Sequence, residues 1–126
     1  MQITNSVLAE NVIHNEMMDL DHEEAWLIFL TRSNTVIGTE MVSKGTLNST
    51  SVDCRTILRR VLLNNAGGII IAHNHPSGNP QPSSEDIRFT ERLKDACKLM
   101  DISLIDHIIV SCKSFFSFAE EKEYKY

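Results

Sequence analysis

Cysteine is scarce in this 126-residue chain, and the cysteine positions do not have the spacing typical of a disulfide framework. The three cysteines, Cys54, Cys97 and Cys112, are far apart and form no C-x-x-C pair. An odd number of cysteines without such pairs fits neither a disulfide framework nor a thiolate zinc site. We therefore expect three reduced packing thiols and no catalytic cysteine.

Long apolar runs are also missing from the chain. No apolar stretch approaches the roughly 18 residues that a membrane-spanning helix needs. The first ten residues hold no basic segment followed by an apolar one, so they do not resemble a secretory signal. We expect a cytoplasmic protein with no membrane partner.

Basic residues are outnumbered, with 12 lysines and arginines against 17 aspartates and glutamates, for a net charge of −5. Proteins that bind nucleic acid draw much of their affinity from basic side chains that neutralise phosphates, so we expect no specific nucleic-acid binding. The one local basic cluster is Arg55, Arg59 and Arg60. In a helix, Arg55 and Arg59 share a face, which we interpret as solvated.

The residues that are present have the composition of an ordinary globular protein. Apolar residues make up 42% of the chain and charged residues 23%. The length suits one domain with its own core. We therefore treat residues 1–126 as a single domain, since no linker or repeat interrupts them.

Hydrophobic periodicity predicts an alternation of helices and strands. The predicted elements, in order, are a helix over 4–18, strands over 25–31 and 35–43, a helix capped by Ser51, a strand over 69–75, a helix from Ser83, a strand over 103–111 and a possible last strand over 114–118. The order αββαβαββ includes a hairpin, so it favours an α/β fold with a mixed β-sheet flanked by helices.

Two histidines end the strand that precedes the proline-rich loop. His73 and His75 are two residues apart and would share one face, whereas Asn74 would point to the other. Asp86 follows in the first turn of a helix, where the bent loop could return it to the strand end. Two imidazoles and a carboxylate leave a fourth tetrahedral position for water, which is typical of catalytic zinc sites.

Each half of this pattern has a simpler interpretation. An H-x-H pair on a strand is often structural or incidental, because short motifs have high false-positive rates. Ser83 and Asp86 also match the S-x-x-D/E capping box, in which the carboxylate serves only the start of the helix.

The longer stretch "HNHPSGNPQPSSED" reads H-x-H-x7-S-x2-D and closely resembles the JAMM motif of JAB/MPN metallopeptidase domains. The stretches "KGTLN", "LIDHIIV" and "SFAE" are similar to the RadC-like branch of that family, and the resemblance runs from about residue 23 to residue 120. It implies a JAB/MPN fold of cytidine-deaminase-like architecture.

The same resemblance implies a function and a set of site residues. Zn²⁺ would be held by His73, His75 and Asp86, and Ser83 would steady an oxyanion. An upstream glutamate would act as the base; Glu23 is favoured, with Glu24 and Glu40 as alternatives. The implied activity is zinc-dependent hydrolysis of peptide or isopeptide bonds in a peptide or protein substrate.

Two alternatives to that enzyme remain open. JAB/MPN domains also occur as non-catalytic scaffolds, usually with broken ligand sets, and RadC-type proteins carry a traditional association with DNA repair. Full-length RadC proteins have an additional N-terminal helical region, whereas this chain begins with a short helix, so we expect a stand-alone catalytic domain. The family's Asp106-His107 pair is interpreted as hydrogen-bonded and structural, and Lys44 and Asn48 are candidates for lining the cleft.

Overall fold

The computed structural model of the chain describes residues 1–45 and 53–126. The helices are α1 (Ser6–Met17), α2 (Cys54–Leu63) and α3 (Ser84–Leu99). The strands are β1 (Glu24–Leu30), β2 (Val36–Lys44), β3 (Gly68–Asn74), β4 (Ser103–Val110), β5 (Ser114–Ser117) and β6 (Lys122–Lys125). Across both described ranges, no helix has the length and apolar character that crossing a bilayer would require.

The six strands form one sheet in the order β2-β1-β3-β4-β5-β6. The β3–β4 pair is parallel, and the other neighbouring pairs are antiparallel. Parallel neighbours need a crossover connection, which α3 supplies here. The predicted mixed sheet flanked by helices is confirmed, and the crossover places the first turn of α3 near the end of β3.

Both faces of the sheet are covered, which explains why its central strands read as nearly continuous apolar runs. Leu27, Phe29 and Ile71 belong to the cluster that α2 and α3 cover. Ile28 and Ile70 point the other way and pack in the cluster beneath α1. Full burial of each such side chain contributes about 1.5–3 kcal/mol to the stability of the fold. The residues at the ends of β1 and β3 are therefore held by a well-packed part of the sheet.

The second helix begins with a different cap from the one expected. Ser51, the predicted cap, lies outside the described residues, as does Asn48. Asp53 is the N-cap of α2, and its side chain accepts a hydrogen bond from the Thr56 N–H at 2.8 Å. At the other end, the predicted left-handed exit is made by Asn65, with φ of 51°.

The sixth strand is an addition to the predicted order. Its sequence is short and highly charged, so it reads as a polar tail by pattern alone. Its pairing depends on a tertiary contact, because the Tyr124 ring stacks on Phe115 of β5 with centroids 5.0 Å apart. Cross-strand aromatic pairs of this kind stabilise a ladder that local propensity does not predict.

Candidate metal centre

The end of β3 carries two imidazoles on one side of the sheet. His73 lies within the strand and is 1% exposed, and His75 follows directly after it. The His75 N–H donates to the Val110 carbonyl at 2.8 Å, so the ladder with β4 extends one residue past the strand. The two Nε2 atoms consequently lie 3.1 Å apart. The i, i+2 spacing thus brings both rings to one face, as predicted.

The Asn74 side chain points to the opposite face and forms hydrogen bonds with the backbone at the start of β1. Its side-chain carbonyl accepts from the Glu24 N–H at 2.7 Å, and its amide donates to the His22 carbonyl at 2.9 Å. These two backbone groups flank Glu23. The middle residue of the H-x-H pair therefore fixes the backbone on both sides of the favoured glutamate.

The loop after β3 returns the chain to the imidazoles. Gly78 takes a left-handed φ of 92° and donates its N–H to the His75 carbonyl at 3.1 Å. The chain then enters α3, whose third residue is Asp86. The two carboxylate oxygens of Asp86 each lie 3.3 Å from an Nε2 atom, one on His73 and the other on His75.

The capping box predicted at the start of α3 is present as well. The Ser83 N–H donates to the Asp86 carboxylate at 2.9 Å, and the Asp86 N–H donates to the Ser83 hydroxyl oxygen at 3.0 Å. The two interpretations of Asp86 are therefore compatible. One carboxylate caps the helix and faces both imidazoles, and the cap holds it in place.

The three candidate glutamates lie in different surroundings. Glu23 is half-buried, and one of its carboxylate oxygens lies within 4.8 Å of ring nitrogens of both His73 and His75. The buried Glu24 instead accepts from the His22 ring at 2.7 Å and from the Trp26 indole at 3.0 Å. Glu40, on β2, forms an ion pair with Arg60 of α2. Of the three, Glu23 is the glutamate grouped with the imidazoles.

A cleft of ≈ 420 Å³ opens beside this group. Its lining residues are Glu23, His75, Pro76, Ser77, Ser83, Glu85 and Asp86. The Ser83 oxygen accepts a hydrogen bond in the cap, which leaves its hydroxyl hydrogen available to donate. A substrate in this cleft would meet a carboxylate, an imidazole and a hydroxyl donor. Lys44 is not among the lining residues in the described part of the chain.

The spacing of these side-chain atoms is compatible with a bound metal ion, and zinc serves as the reference geometry. Zinc binds nitrogen and oxygen ligands at about 2.0–2.2 Å in a tetrahedron, so two such ligand atoms lie about 3.3–3.6 Å apart. The separations among the two Nε2 atoms and the carboxylate oxygens of Asp86 are 3.1, 3.3 and 3.3 Å. The two 3.3 Å separations involve different oxygens of Asp86. In the described part of the chain, the group whose single ligand atoms all lie within 4.8 Å of one another is Glu23, His73 and His75, and this group could hold a metal ion.

The local charges favour a cation. Burial alone would raise the pKa of Asp86, but hydrogen bonds from His73 and His75 prevail and hold that pKa well below its ordinary value. Burial alone would lower the pKa of His75, whereas the Asp86 carboxylate and the Asn79 carbonyl raise it overall. Asp86 is therefore ionised at neutral pH and offers a negative charge to a cation.

His107 contacts the Nδ1 atom of His73, and Thr90 in turn contacts His107. The fully buried His107 lies with its Nε2 2.8 Å from Nδ1 of His73, and its own Nδ1 is 2.5 Å from the Thr90 hydroxyl oxygen. Burial holds the pKa of His107 well below its ordinary value. Sequence reasoning did not identify Thr90. The available signal was its spacing of four residues from Asp86, which places both on one face of α3.

The expected hydrogen bond between Asp106 and His107 is present, and it runs from the His107 backbone N–H to the Asp106 side chain. Neighbouring residues of a strand point to opposite faces, so the two side chains do not bond to each other. Asp106 accepts from the His107 backbone N–H at 2.7 Å, from the Ser117 hydroxyl at 2.7 Å and from the Ser6 hydroxyl at 3.2 Å. It therefore joins α1, β4 and β5, whereas His107 faces the imidazoles.

Comparison with known proteins supports a single family. The family model described as the RadC-like JAB domain matches residues 3–124. The UPF0758 protein of Flavobacterium johnsoniae is 38% identical over 120 residues, which cover 95% of this chain and 52% of that relative. The UPF0758 protein of Chromohalobacter salexigens is 44% identical over 118 residues, covering 94% and 53% respectively.

A third relative, the UPF0758 protein of Thermotoga maritima, is 44% identical over 108 residues, which cover 86% of this chain and 49% of the relative. The chain therefore spans about half the length of the curated relatives it matches. The match to the family model takes in β1, β3 and α3, the elements that bring Glu23, the two imidazoles and Asp86 together. The resemblance found in the sequence is confirmed, and this chain belongs to the RadC-like JAB domain family.

Proposed function

We propose that this chain is a zinc-dependent hydrolase of peptide or isopeptide amide bonds. The observation that carries the proposal is the convergence of His73, His75 and Asp86 at separations of 3.1–3.3 Å beside an open cleft. A site with three protein ligands has room for a water molecule, which distinguishes catalytic zinc sites from closed structural ones. Membership of a JAB-domain family supports the amide substrate class.

Each residue of the group has a chemical role in this proposal. His73, His75 and Asp86 would hold the ion, which would act as a Lewis acid and lower the pKa of water to about 7. Glu23 takes the proton of the attacking water and delivers it to the nitrogen of the leaving amine. The Ser83 hydroxyl donates to the oxyanion that develops on the substrate carbonyl.

The geometry also supports a polymeric substrate. The cleft is open to the surface, and the exposed residues Pro76, Ser77 and Glu85 are among those that line it. An open cleft admits a chain that continues in both directions, whereas small-molecule sites enclose most of their ligand. A peptide or a side-chain-linked isopeptide fits this arrangement.

The test combines metal analysis with substrate profiling. We expect the purified protein to hold one Zn²⁺ per chain by elemental analysis, and the His73→Ala/His75→Ala double variant to hold none. His14→Ala is the matched control, because it removes an imidazole that bonds to Glu10, outside the cleft. Wild-type metal content in the double variant would refute the site.

Substrate profiling then tests the reaction. Libraries of peptides and of isopeptide-linked substrates are incubated with the wild-type protein and with Asp86→Ala, and products are identified by mass spectrometry. We expect cleavage that depends on Asp86 and that a chelator abolishes. Bound zinc without cleavage of any amide would instead support a non-catalytic scaffold.

A further inference from the structure

The residues that lead into β1 are held by hydrogen bonds on two sides. The Glu23 carbonyl accepts from the Gly45 N–H at 2.7 Å, just beyond the end of β2. On the side of β3, the Glu24 N–H donates to the Asn74 side-chain carbonyl at 2.7 Å, and the Asn74 amide donates to the His22 carbonyl at 2.9 Å. Glu23 therefore lies between two anchored neighbours and is itself anchored on the opposite side.

The side-chain amide of Asn74 takes the place of a peptide group in this arrangement. The backbone pairing of β1 with β3 extends to Ala25 and His73. One residue further, the Asn74 side chain supplies the C=O and the N–H that a longer strand would have offered to Glu24 and His22. Aspartate lacks the donor, and leucine lacks both groups. Since Asn74 is only 3% exposed, water is poorly placed to replace either bond.

The same strand end therefore carries the imidazoles and holds the segment that carries the carboxylate. One carboxylate oxygen of Glu23 lies within 4.8 Å of ring nitrogens of both His73 and His75. The imidazoles belong to the residues on either side of Asn74, and the His75 N–H is bonded separately to the Val110 carbonyl. Loss of the Asn74 amide would release the Glu23 segment while the ladder that holds the imidazoles persists.

We propose that Asn74 is a positioning residue that sets the distance between the Glu23 carboxylate and the two imidazoles, from the face of the sheet opposite the cleft. This inference rests on the proposed role of Glu23 as the base. A general base must lie within hydrogen-bond reach of the proton that it takes. A displacement of about 1 Å caused by a remote substitution can lower a rate by about 10²-fold.

Two variants of Asn74 and one control isolate the amide. Asn74→Leu is close in size and removes both bonds, whereas Asn74→Asp keeps the acceptor and loses the donor. Asn64→Leu is the matched control, because the Asn64 amide donates to the Arg60 carbonyl at 2.8 Å at the end of α2, outside the site. Circular dichroism and thermal unfolding establish that each variant is folded. If Asn74→Leu does not fold, Asn74→Asp provides the test.

The first measurement needs neither metal nor substrate. In crystal structures of the metal-free variants of Asn74, we expect the Glu23 carboxylate to move beyond 4.8 Å from the imidazole nitrogens, with His73 and His75 unmoved. Hydrogen exchange should show lost protection of the Glu24 amide. A Glu23 carboxylate that keeps its wild-type position in both variants would overturn the proposal. If the wild-type protein cleaves no amide bond, the proposed function fails, and these structures still decide the role of Asn74.

The second measurement compares steady-state kinetics and zinc content. We expect kcat to fall by about 10²-fold in Asn74→Leu, because the base is displaced. KM and zinc content should stay close to the wild-type values, since the imidazoles remain in place. Asn64→Leu should match the wild-type protein in all three quantities. Loss of zinc from Asn74→Leu that equals its loss of activity would overturn the proposal.

A double-mutant cycle with Glu23→Gln separates positioning from a general structural effect. If Asn74 acts through Glu23, then Asn74→Leu has little left to disturb once the base is gone. We expect it to lower the residual rate of Glu23→Gln by less than about twofold, whereas independent effects would multiply. A further loss as large as the one that Asn74→Leu causes in the wild-type background would refute the proposal.

Discussion

Asn74 lies between His73 and His75 in the sequence, and its side chain points to the opposite face of the sheet. Because of this alternation, three consecutive residues contact two different parts of the candidate site. His73 and His75 face Asp86, whereas the Asn74 amide bonds to the backbone on either side of Glu23. The three residues at the end of β3 therefore position two imidazoles and, through Asn74, the backbone of the proposed base Glu23. A period of two is what allows one strand end to do both.

At Glu23 we predict that a glutamine variant keeps zinc and loses hydrolysis. Glutamine preserves the shape of the side chain but accepts no proton, and general acid–base catalysis typically contributes about 10²–10⁴-fold to the rate. We expect a fall in kcat of that order, with metal content unchanged. Comparable activity would assign the base to Glu24 or Glu40, and loss of zinc would make Glu23 a ligand.

Glu40→Gln is the matched control for that experiment. Its carboxylate pairs with Arg60 and lies outside the group that includes the imidazoles. We expect kcat and zinc content close to those of the wild-type protein. Steady-state kinetics and elemental analysis on the two variants, prepared together, separate a role in the reaction from a general effect of lost charge.

Residue spacing predicted much of the group, but not all of it. The i, i+2 spacing of the histidines and the capping pattern of Ser83 and Asp86 are local signals, and the structure shows both. The approach of Asp86 to the imidazoles was expected from the bent loop and the family resemblance. The contacts of Thr90 depend on how α3 is rotated against β4, which no local pattern encodes. The choice among three glutamates likewise required the register of β1 against β3.

Among the elements, α3 has two tasks at its first turn. Its cap residue Ser83 both stabilises the helix start and, in the proposed reaction, donates to the oxyanion. Since the cap uses the serine oxygen as acceptor and the oxyanion would use its hydrogen, the tasks do not compete. The helix start is therefore coupled to the site through one hydroxyl.

We predict that Ser83→Ala lowers both stability and activity. Loss of an N-cap side chain typically costs about 1 kcal/mol in the free energy of unfolding. Loss of one oxyanion donor typically costs about 10²–10³ in kcat. Denaturant titration and steady-state kinetics measure the two effects, with Ser84→Ala, one residue further along the same exposed turn, as the control.

A variant that keeps the hydroxyl provides the complementary test of the two roles assigned to Ser83. Ser83→Thr retains both an acceptor for the cap and a donor for the oxyanion, so we expect stability and kcat near the wild-type values. An activity loss in Ser83→Thr as large as that in Ser83→Ala would show that shape, rather than the hydroxyl, governs the effect.

Buried apolar strands were predicted better than the charged strand at the side of the sheet. The buried strands β1 and β3 are strongly apolar, and the predicted bounds of β3 differ from the observed ones by a single residue at each end. The charged strand β6 was missed because its stability comes from pairing with β5 and from Tyr124. Strands at the side of a sheet need little hydrophobic character of their own, which makes them hard to recognise.

At the scale of the whole chain, net charge leads us to predict no specific binding to nucleic acid. The net charge is −5, and of the three clustered arginines Arg60 is already paired with Glu40. Only Arg55 and Arg59 of that cluster are exposed. Two exposed arginines can release few counterions from DNA, so they offer little salt-dependent affinity.

We predict no submicromolar binding of this chain to duplex or single-stranded DNA. The measurement is a titration of labelled DNA at about 150 mM salt, the physiological ionic strength. Submicromolar affinity that weakens when Arg55, Arg59 and Arg60 are changed to glutamine would contradict the prediction. DNA that binds equally well to the wild-type protein and to the triple variant would show that the DNA contacts a different part of the surface.

The outer strand β2 has a consequence for how copies of the chain meet. A long strand at the side of a sheet offers unpaired backbone groups to a second copy, which is a common route to aggregation. Here the first residues of the chain cover its start, since Val36 donates to the Met1 carbonyl at 2.8 Å and Gln2 bridges to Thr35. Glu40 and Lys44 place charges further along the same strand. Both devices oppose extension of the sheet from one molecule into the next.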